Sequence, residues 1–176
     1  MGSLCLLVLL DLSAAFDTAN HAILIRCLSS HLNLHGSDLE WFRASHFSHH
    51  LHVISTNGFS SRPRTILCGV PQGSVLGPRL FNIYMLPLGD IIRRYGVNFH
   101  MYANDNLLYL SASTLDSRAT AVLTECLSGI KSWIRATFLQ LNINKPEVLP
   151  IDSHQPLLTS GADSITIQGE WRAASP

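Results

Sequence analysis

Apolar residues run unbroken from Leu4 to Leu10 and stop at Asp11. Such a run suits a strand buried on both faces, with an acid at its exit. Over residues 18–34 the period changes, and Ile23, Leu24, Cys27, Leu28 and Leu32 fall on one face of a helix. Asp17 or Thr18 is placed to cap its start, and Gly36 to end it. Ser37 and Glu40 have the spacing of a capping box for a second, short helix carrying Trp41 and Phe42. Val53 and the turn pair Asn57-Gly58 predict a hairpin over residues 51–67. A Gly/Pro-rich stretch covers residues 69–78, and the apolar residues 80–84 behind it suit a helix. Two apolar runs in residues 98–110, broken by Asn104-Asp105-Asn106, predict a second hairpin with a polar tip. Residues 116–138 carry the longest amphipathic pattern, with Ala119, Val122, Leu123, Cys126, Ile130, Trp133 and Ile134 on one face. Beyond Asn144, Pro146, Pro150 and Pro156 allow a weak strand at best. The last eight residues read as disordered. No repeat and no linker divides the chain. One domain over residues 1–152 with a poorly ordered extension, residues 153–176, is the expectation.

Composition narrows the class. The 176 residues are 47% hydrophobic and 14% charged, against about 25% charged in an average soluble domain. Twelve Lys and Arg balance twelve Asp and Glu. That balance excludes a disordered acidic tail and a strongly basic nucleic-acid arm. A chain this neutral and apolar reads as a core whose covering has been removed. No run of eighteen apolar residues is present, so no membrane-spanning helix and no membrane partner is expected. The N-terminal apolar run has no Lys or Arg before it and an acid behind it, which does not make a secretory signal. The four cysteines, Cys5, Cys27, Cys68 and Cys126, form no CxxC pair and read as buried apolar residues in a reducing, intracellular setting, nuclear or cytoplasmic. His46 and His50 have the i, i+4 spacing of zinc ligands, but no acid lies between them; the cluster from His46 to His52 reads as a solvated loop.

The acids carry the candidate chemistry. Asp11 and Asp105 both stand where an apolar strand meets a turn. A strand fixes a carboxylate while the loop admits a cation, and Mg²⁺ favours carboxylate oxygens together with substrate phosphates. Two such ions about 4 Å apart support in-line phosphoryl transfer. A third carboxylate would complete the charge balance, and Asn104 holds its natural position. A cap and a turn residue would show the same spacing.

Four boxes then stand in order along the chain. Leu10-Asp11-Leu12-Ser13-Ala14-Ala15-Phe16-Asp17-Thr18 resembles motif A of non-LTR (LINE-type) retrotransposon reverse transcriptases. Gly69-Val70-Pro71-Gln72-Gly73-Ser74-Val75-Leu76-Gly77-Pro78 is similar to their motif B, the most specific of the four. Phe99-His100-Met101-Tyr102-Ala103-Asn104-Asp105 resembles motif C, and Leu139-Gln140-Leu141-Asn142-Ile143-Asn144-Lys145-Pro146-Glu147 resembles motif D. The resemblance implies an α+β palm of a right-hand polymerase, a small antiparallel sheet backed by helices. It implies RNA-directed DNA polymerase activity, with an RNA template, a DNA primer, deoxynucleoside triphosphates and two Mg²⁺ ions. Residue by residue, Asp11 would bind both ions and the Leu12 carbonyl would ligate one. Asp105 would be the second acid of motif C. Phe16 would gate the sugar, Gln72 and Gly73 would line the nucleotide and template base, and Tyr102 would sit beside the primer end. Lys145 would protonate the leaving pyrophosphate.

The match breaks at Asn104, where motif C carries its first aspartate. A neutral amide there weakens charge neutralisation in the transition state. The expected loss is on the order of a thousandfold or more in rate. Asn20 replaces a usual Asp, and Pro146 and Pro150 are expected to interrupt the strand after motif D. Fingers and thumb are expected to be largely missing. Three present-day states follow from the sequence: an impaired enzyme, a dead palm that still holds nucleic acid or a protein, and a retroelement remnant.

Overall fold

The computed structural model describes residues 4–47, 51–70, 73–112, 117–142, 147–152 and 172–173. In chain order the first elements are strand β1 (Leu4–Ser13) and helices α1 (Ala15–Thr18), α2 (His21–Leu32) and α3 (Gly36–Phe42). A π-helical turn, Arg43–Phe47, extends α3. Four two-residue strands follow: β2 (Leu51–His52), β3 (Ser55–Thr56), β4 (Phe59–Ser60) and β5 (Arg64–Thr65). Then come α4 (Gly77–Arg94), β6 (Asn98–Tyr102), β7 (Asp105–Ala112) and α5 (Ser117–Ala136). Strands β8 (Gln140–Leu141), β9 (Glu147–Asp152) and β10 (Arg172–Ala173) close the list. The chain divides into two units, residues 15–86 and residues 1–14 with 87–176.

The second of these holds the main sheet, in the order β10-β9-β1-β7-β6, with β8 pairing the end of β1. β1 is the spine. It pairs antiparallel with β7 from Leu4↔Ala112 to Asp11↔Asp105, and with β9 from Leu4↔Asp152 to Leu9↔Glu147. The run of apolar residues does not mean burial on both faces. Leu6, Val8, Leu10 and Leu12 are buried, whereas Leu7, Leu9 and Asp11 keep partial exposure. An antiparallel sheet need bury only one face, and Leu7, Leu9 and Asp11 point to the more exposed one. Leu88 and Ile92 of α4 and Leu123, Cys126, Leu127, Ile130 and Ile134 of α5 are buried as well, and α5 packs against β7. Two glycines set the fit. A Cβ on Gly89 would come within 3.0 Å of the Phe99 ring, and one on Gly129 within 3.1 Å of the Tyr95 hydroxyl. Each fully buried leucine here is worth about 1.5–3 kcal/mol.

β9 is a full six-residue strand despite Pro150, which pairs by register with Leu6. Pro150 therefore does not interrupt it, and Pro146 lies outside the described residues. Among the described residues β10 pairs only with Glu147 and Val148, so Pro150 lies beyond the doubly paired stretch, where a missing N–H is tolerated. Arg172 and Ala173 pair with β9, within the stretch expected to be disordered. The remaining residues of 153–176 lie outside the described ones.

The unit of residues 15–86 packs Ile23, Leu24, Cys27 and Leu28 of α2 with Phe47, Phe81, Tyr84 and Met85 among its buried side chains. Its caps differ from the expectation. Asp17 and Thr18 fall inside α1, and Asn20 caps α2 by accepting the Ile23 N–H at 3.2 Å. Asn33, at φ 54°, ends α2 in place of Gly36. Gly36 opens α3 instead, with His35 at the N-cap, so Ser37 lies two residues too far in for a capping box, and its hydroxyl donates to Asp38. The expected helix at residues 80–84 is the core of α4, which runs on through Pro87 to Arg94. The predicted hairpin is present as two nested ribbons, β2–β5 and β3–β4, around Asn57-Gly58. Cys27 and Cys126 are buried, and burial pushes the Cys126 thiol up to about 11. Cys68 is exposed, contrary to expectation, because it leads into Gly69 as a single bridge to Asn20.

Candidate active site at the end of the sheet

Register assembles the site. Asp11 on β1 is directly opposite Asp105 on β7, and Asp105 is directly opposite Tyr102 on β6. Cross-strand partners share a face, so the three side chains stand in a row on the more exposed face of the sheet. Asp105, Tyr102 and His100 are exposed, and Asp11 is half-buried. A cavity of about 370 Å³ opens here, lined by these four over Leu9 and Leu107.

The turn between β6 and β7 is two residues, Ala103 and Asn104, with Ala103 at φ 53°. A non-glycine residue there is strained, and such strain concentrates at functional turns. The Asn104 carbonyl holds the turn by accepting from Leu12 N–H and from Asn106 Nδ2, each at 3.1 Å. Asn106 is 4% exposed, and among the described residues its Oδ1 has no partner.

Asp11 is tied down on every side. Asn104 Nδ2 donates to Asp11 Oδ1 at 2.7 Å. Asn142 Nδ2 donates to Oδ2 at 2.9 Å, and the Asn142 backbone N–H donates to the Asp11 carbonyl at 2.9 Å. β8 makes the second tie possible by pairing Leu141 with Leu12. Both carboxylate oxygens thus accept amide N–H bonds, which favour the charged carboxylate.

Of the residues singled out by sequence, Asp11, Leu12, Asn104, Asp105 and Tyr102 come together. The Leu12 carbonyl faces Asn104 Nδ2 at 3.5 Å. Phe16 and Gly73 belong to the other unit. Phe16 stacks on Phe81 with ring centroids 4.6 Å apart, and Gly73 is exposed at φ 77°. Gln72 and Lys145 lie outside the described residues, as do His49 and His50. His46 packs against Trp41 and Phe42, at 5.2 and 5.7 Å. Asn142 and Asn106 were not singled out as site residues. Asn142 lies inside the motif D box, and that position was the available signal.

The donor set can be tested against two magnesium ions. Among the described residues no group of three His, Cys, Asp or Glu side chains is placed to hold a metal. The two oxygens of Asp11 already face amide hydrogens, which carry the partial positive charge a cation would bring. The described residues do not fit a two-cation site.

A small antiparallel sheet combined with helices, in which two aspartates meet across neighbouring strands, is a palm-type polymerase fold. The likeness extends to solved telomerases of Candida tropicalis, in the apo form truncated from its C-terminal domain, and of Candida albicans, in complex with a fragment of telomeric RNA. The first gives a TM-score of 0.60 at 11% identity, over 93% of this chain and 32% of that one. The second gives 0.58 at 15%, over 92% and 28%. The chain belongs to the reverse transcriptase (RNA-dependent DNA polymerase) family, whose pattern matches residues 1–159. It is 28% identical over 145 residues to a probable RNA-directed DNA polymerase from transposon BS of Drosophila melanogaster, covering 80% of this chain and 16% of that protein. It is 30% identical over 143 residues to the RNA-directed DNA polymerase from mobile element jockey of Drosophila funebris, covering 77% and 15%. The chain therefore spans about one sixth of the length of these curated relatives.

Proposed function

We propose that this chain is the palm segment of a non-LTR retrotransposon RNA-directed DNA polymerase, in a copy silenced at Asn104. In the intact form, an RNA template would direct addition of deoxynucleoside triphosphates to a DNA primer. Asp11 and Asp105 would be the remaining acids of the centre, and Tyr102 would border the primer end. Phe16, Gln72 and Gly73 would meet the sugar and bases, and Lys145 would supply the proton to pyrophosphate.

Reverse transcriptases as a family depend on divalent metal. The observation that carries silencing is the 2.7 Å bond from Asn104 Nδ2 to Asp11 Oδ1. An aspartate at 104 would add a negative charge at that point, whereas the amide adds no charge and donates a hydrogen bond to Asp11. The centre is then satisfied without a cation, and no nucleotidyl transfer step is assigned to it.

The test is primer extension on an RNA template with Mg²⁺, run on the chain as given, on Asn104→Asp and on Asn104→Asp with Asp11→Ala. Extension by the single revertant, at about a thousandfold or more above the other two, is the expected result. Equal extension by the unmodified chain would overturn the silencing. A revertant that is folded and inert would overturn the assignment of the silencing to Asn104.

A further inference from the structure

Charge is distributed unevenly along this formally neutral chain. Residues 41–89 contain no Asp or Glu at all, while they carry Arg43, Arg62, Arg64, Arg79 and four histidines. The rest of the chain holds eight Lys and Arg against twelve acids. The centre of this acid-free stretch is the β2–β5 ribbon, whose residues 51–65 are all exposed.

The ribbon is ordered by its own polar contacts. Ser55 and Ser60 hydroxyls meet at 2.8 Å, Ser61 N–H donates to the Ile54 carbonyl at 2.8 Å, and Asn57-Gly58 turns the tip with positive φ at both residues. His52 is set directly opposite Arg64. Two basic side chains opposite each other gain nothing from their own pairing. Among the described residues Arg62 and Arg64 have no acidic partner, whereas Arg43 is paired with Glu40 at 3.4 Å. At the tip, Phe59 is 80% exposed and faces Thr56. Unpaired guanidinium groups, hydroxyl donors and one bare aromatic ring on a narrow two-stranded ribbon form a surface complementary to a nucleic acid. The cations suit phosphates, and the ring suits an unstacked base.

We propose that the ribbon of residues 51–65 is a contact for single-stranded RNA, with Arg62 and Arg64 on the phosphate backbone and Phe59 stacking on a base. The choice of RNA among polyanions rests on the polymerase reading above.

The experiment measures affinity of the full chain for a short fluorescent single-stranded RNA between about 50 and 200 mM salt. The variants are Arg62→Ala with Arg64→Ala, Phe59→Ser, and a charge-matched control, Arg118→Ala with Arg135→Ala on the exposed side of α5. The ribbon pair should lose about tenfold in affinity and flatten the salt slope by about 1.4, from two phosphates at about 0.7 each. Phe59→Ser should lose at least about fivefold without changing the slope. Thermal midpoints should stay put, since all the altered side chains are exposed. Equal loss in the control pair, no loss in the ribbon variants, or binding to phosphatidylserine vesicles but not RNA would each overturn the proposal. Extension by Asn104→Asp separates the two readings. An active revertant with ribbon-independent RNA binding defeats only the ribbon, and a silent one with ribbon-dependent binding defeats only the assignment of the silencing to Asn104.

Discussion

The two β-hairpins of this chain are built to opposite plans. The β6–β7 hairpin buries one face, with Leu108 fully enclosed, and presents Asp105 and Tyr102 on the other. The β2–β5 ribbon is exposed throughout, carries Arg62 and Arg64, and among the described residues is held by hydroxyl and backbone bonds. The first has its geometry imposed by a core and by β1 beside it. The second keeps its side chains free for something else. Position in a sheet gives a carboxylate the fixed placement that chemistry needs. A solvent-exposed ribbon gives the adaptable cationic surface that suits binding without chemistry.

The largest expected contrast is in stability. Leu108→Ala should cost about 2–5 kcal/mol in chemical denaturation, because nothing can refill the space under the sheet. Val53→Ala on the ribbon should stay within about 0.5 kcal/mol. Equal losses at the two positions would end the distinction between a cored hairpin and a free one.

A second, smaller effect sharpens it at the tip. Asn104→Asp exchanges the N–H bond to Asp11 for a like-charge contact, and should lower stability by about 2 kcal/mol in EDTA. Addition of Mg²⁺ should restore the melting temperature of this variant while leaving that of the unmodified chain where it was. A magnesium response in the unmodified chain would show that Asn104 has not taken over the cation's part.

The smallest effect concerns the turns. Asn57-Gly58 already supplies a glycine, while Ala103 adopts φ 53° with a side chain. Ala103→Gly should therefore gain up to about 1 kcal/mol by relieving that strain. A loss of stability would show that the methyl group is packed rather than strained.

Much of this was legible in the sequence, and the failures have physical causes. β1, the β6–β7 hairpin and α5 follow from apolar spacing, because burial against a sheet or helix writes its period directly into the chain, and the β2–β5 ribbon follows from its Asn57-Gly58 turn. The pairing of Asp11 with Asp105 follows from four ordered boxes. The caps were misplaced because Asp17, Thr18 and Asn20 all offer a side-chain oxygen, and only the path of the backbone chooses among them. β9 was undervalued because Pro150 forbids one N–H bond, and only the sheet order tells whether that bond is needed. Asn142 was unreadable as a partner of Asp11 because the contact spans 131 positions and exists only once β8 has paired with Leu12 and Ser13.

The central place of β1 has a consequence for how the molecule is made. Its ten residues are made well before their neighbours, β7, about a hundred positions later, and β9, later still. Closing such long loops makes folding slow. Throughout synthesis an unpaired apolar strand waits in the open, a ready template for another copy of itself. Yield in the cell should therefore depend on chaperone capacity and on translation speed. A transcript that stops short of residue 147 would leave β1 with one bare edge and a product prone to aggregate.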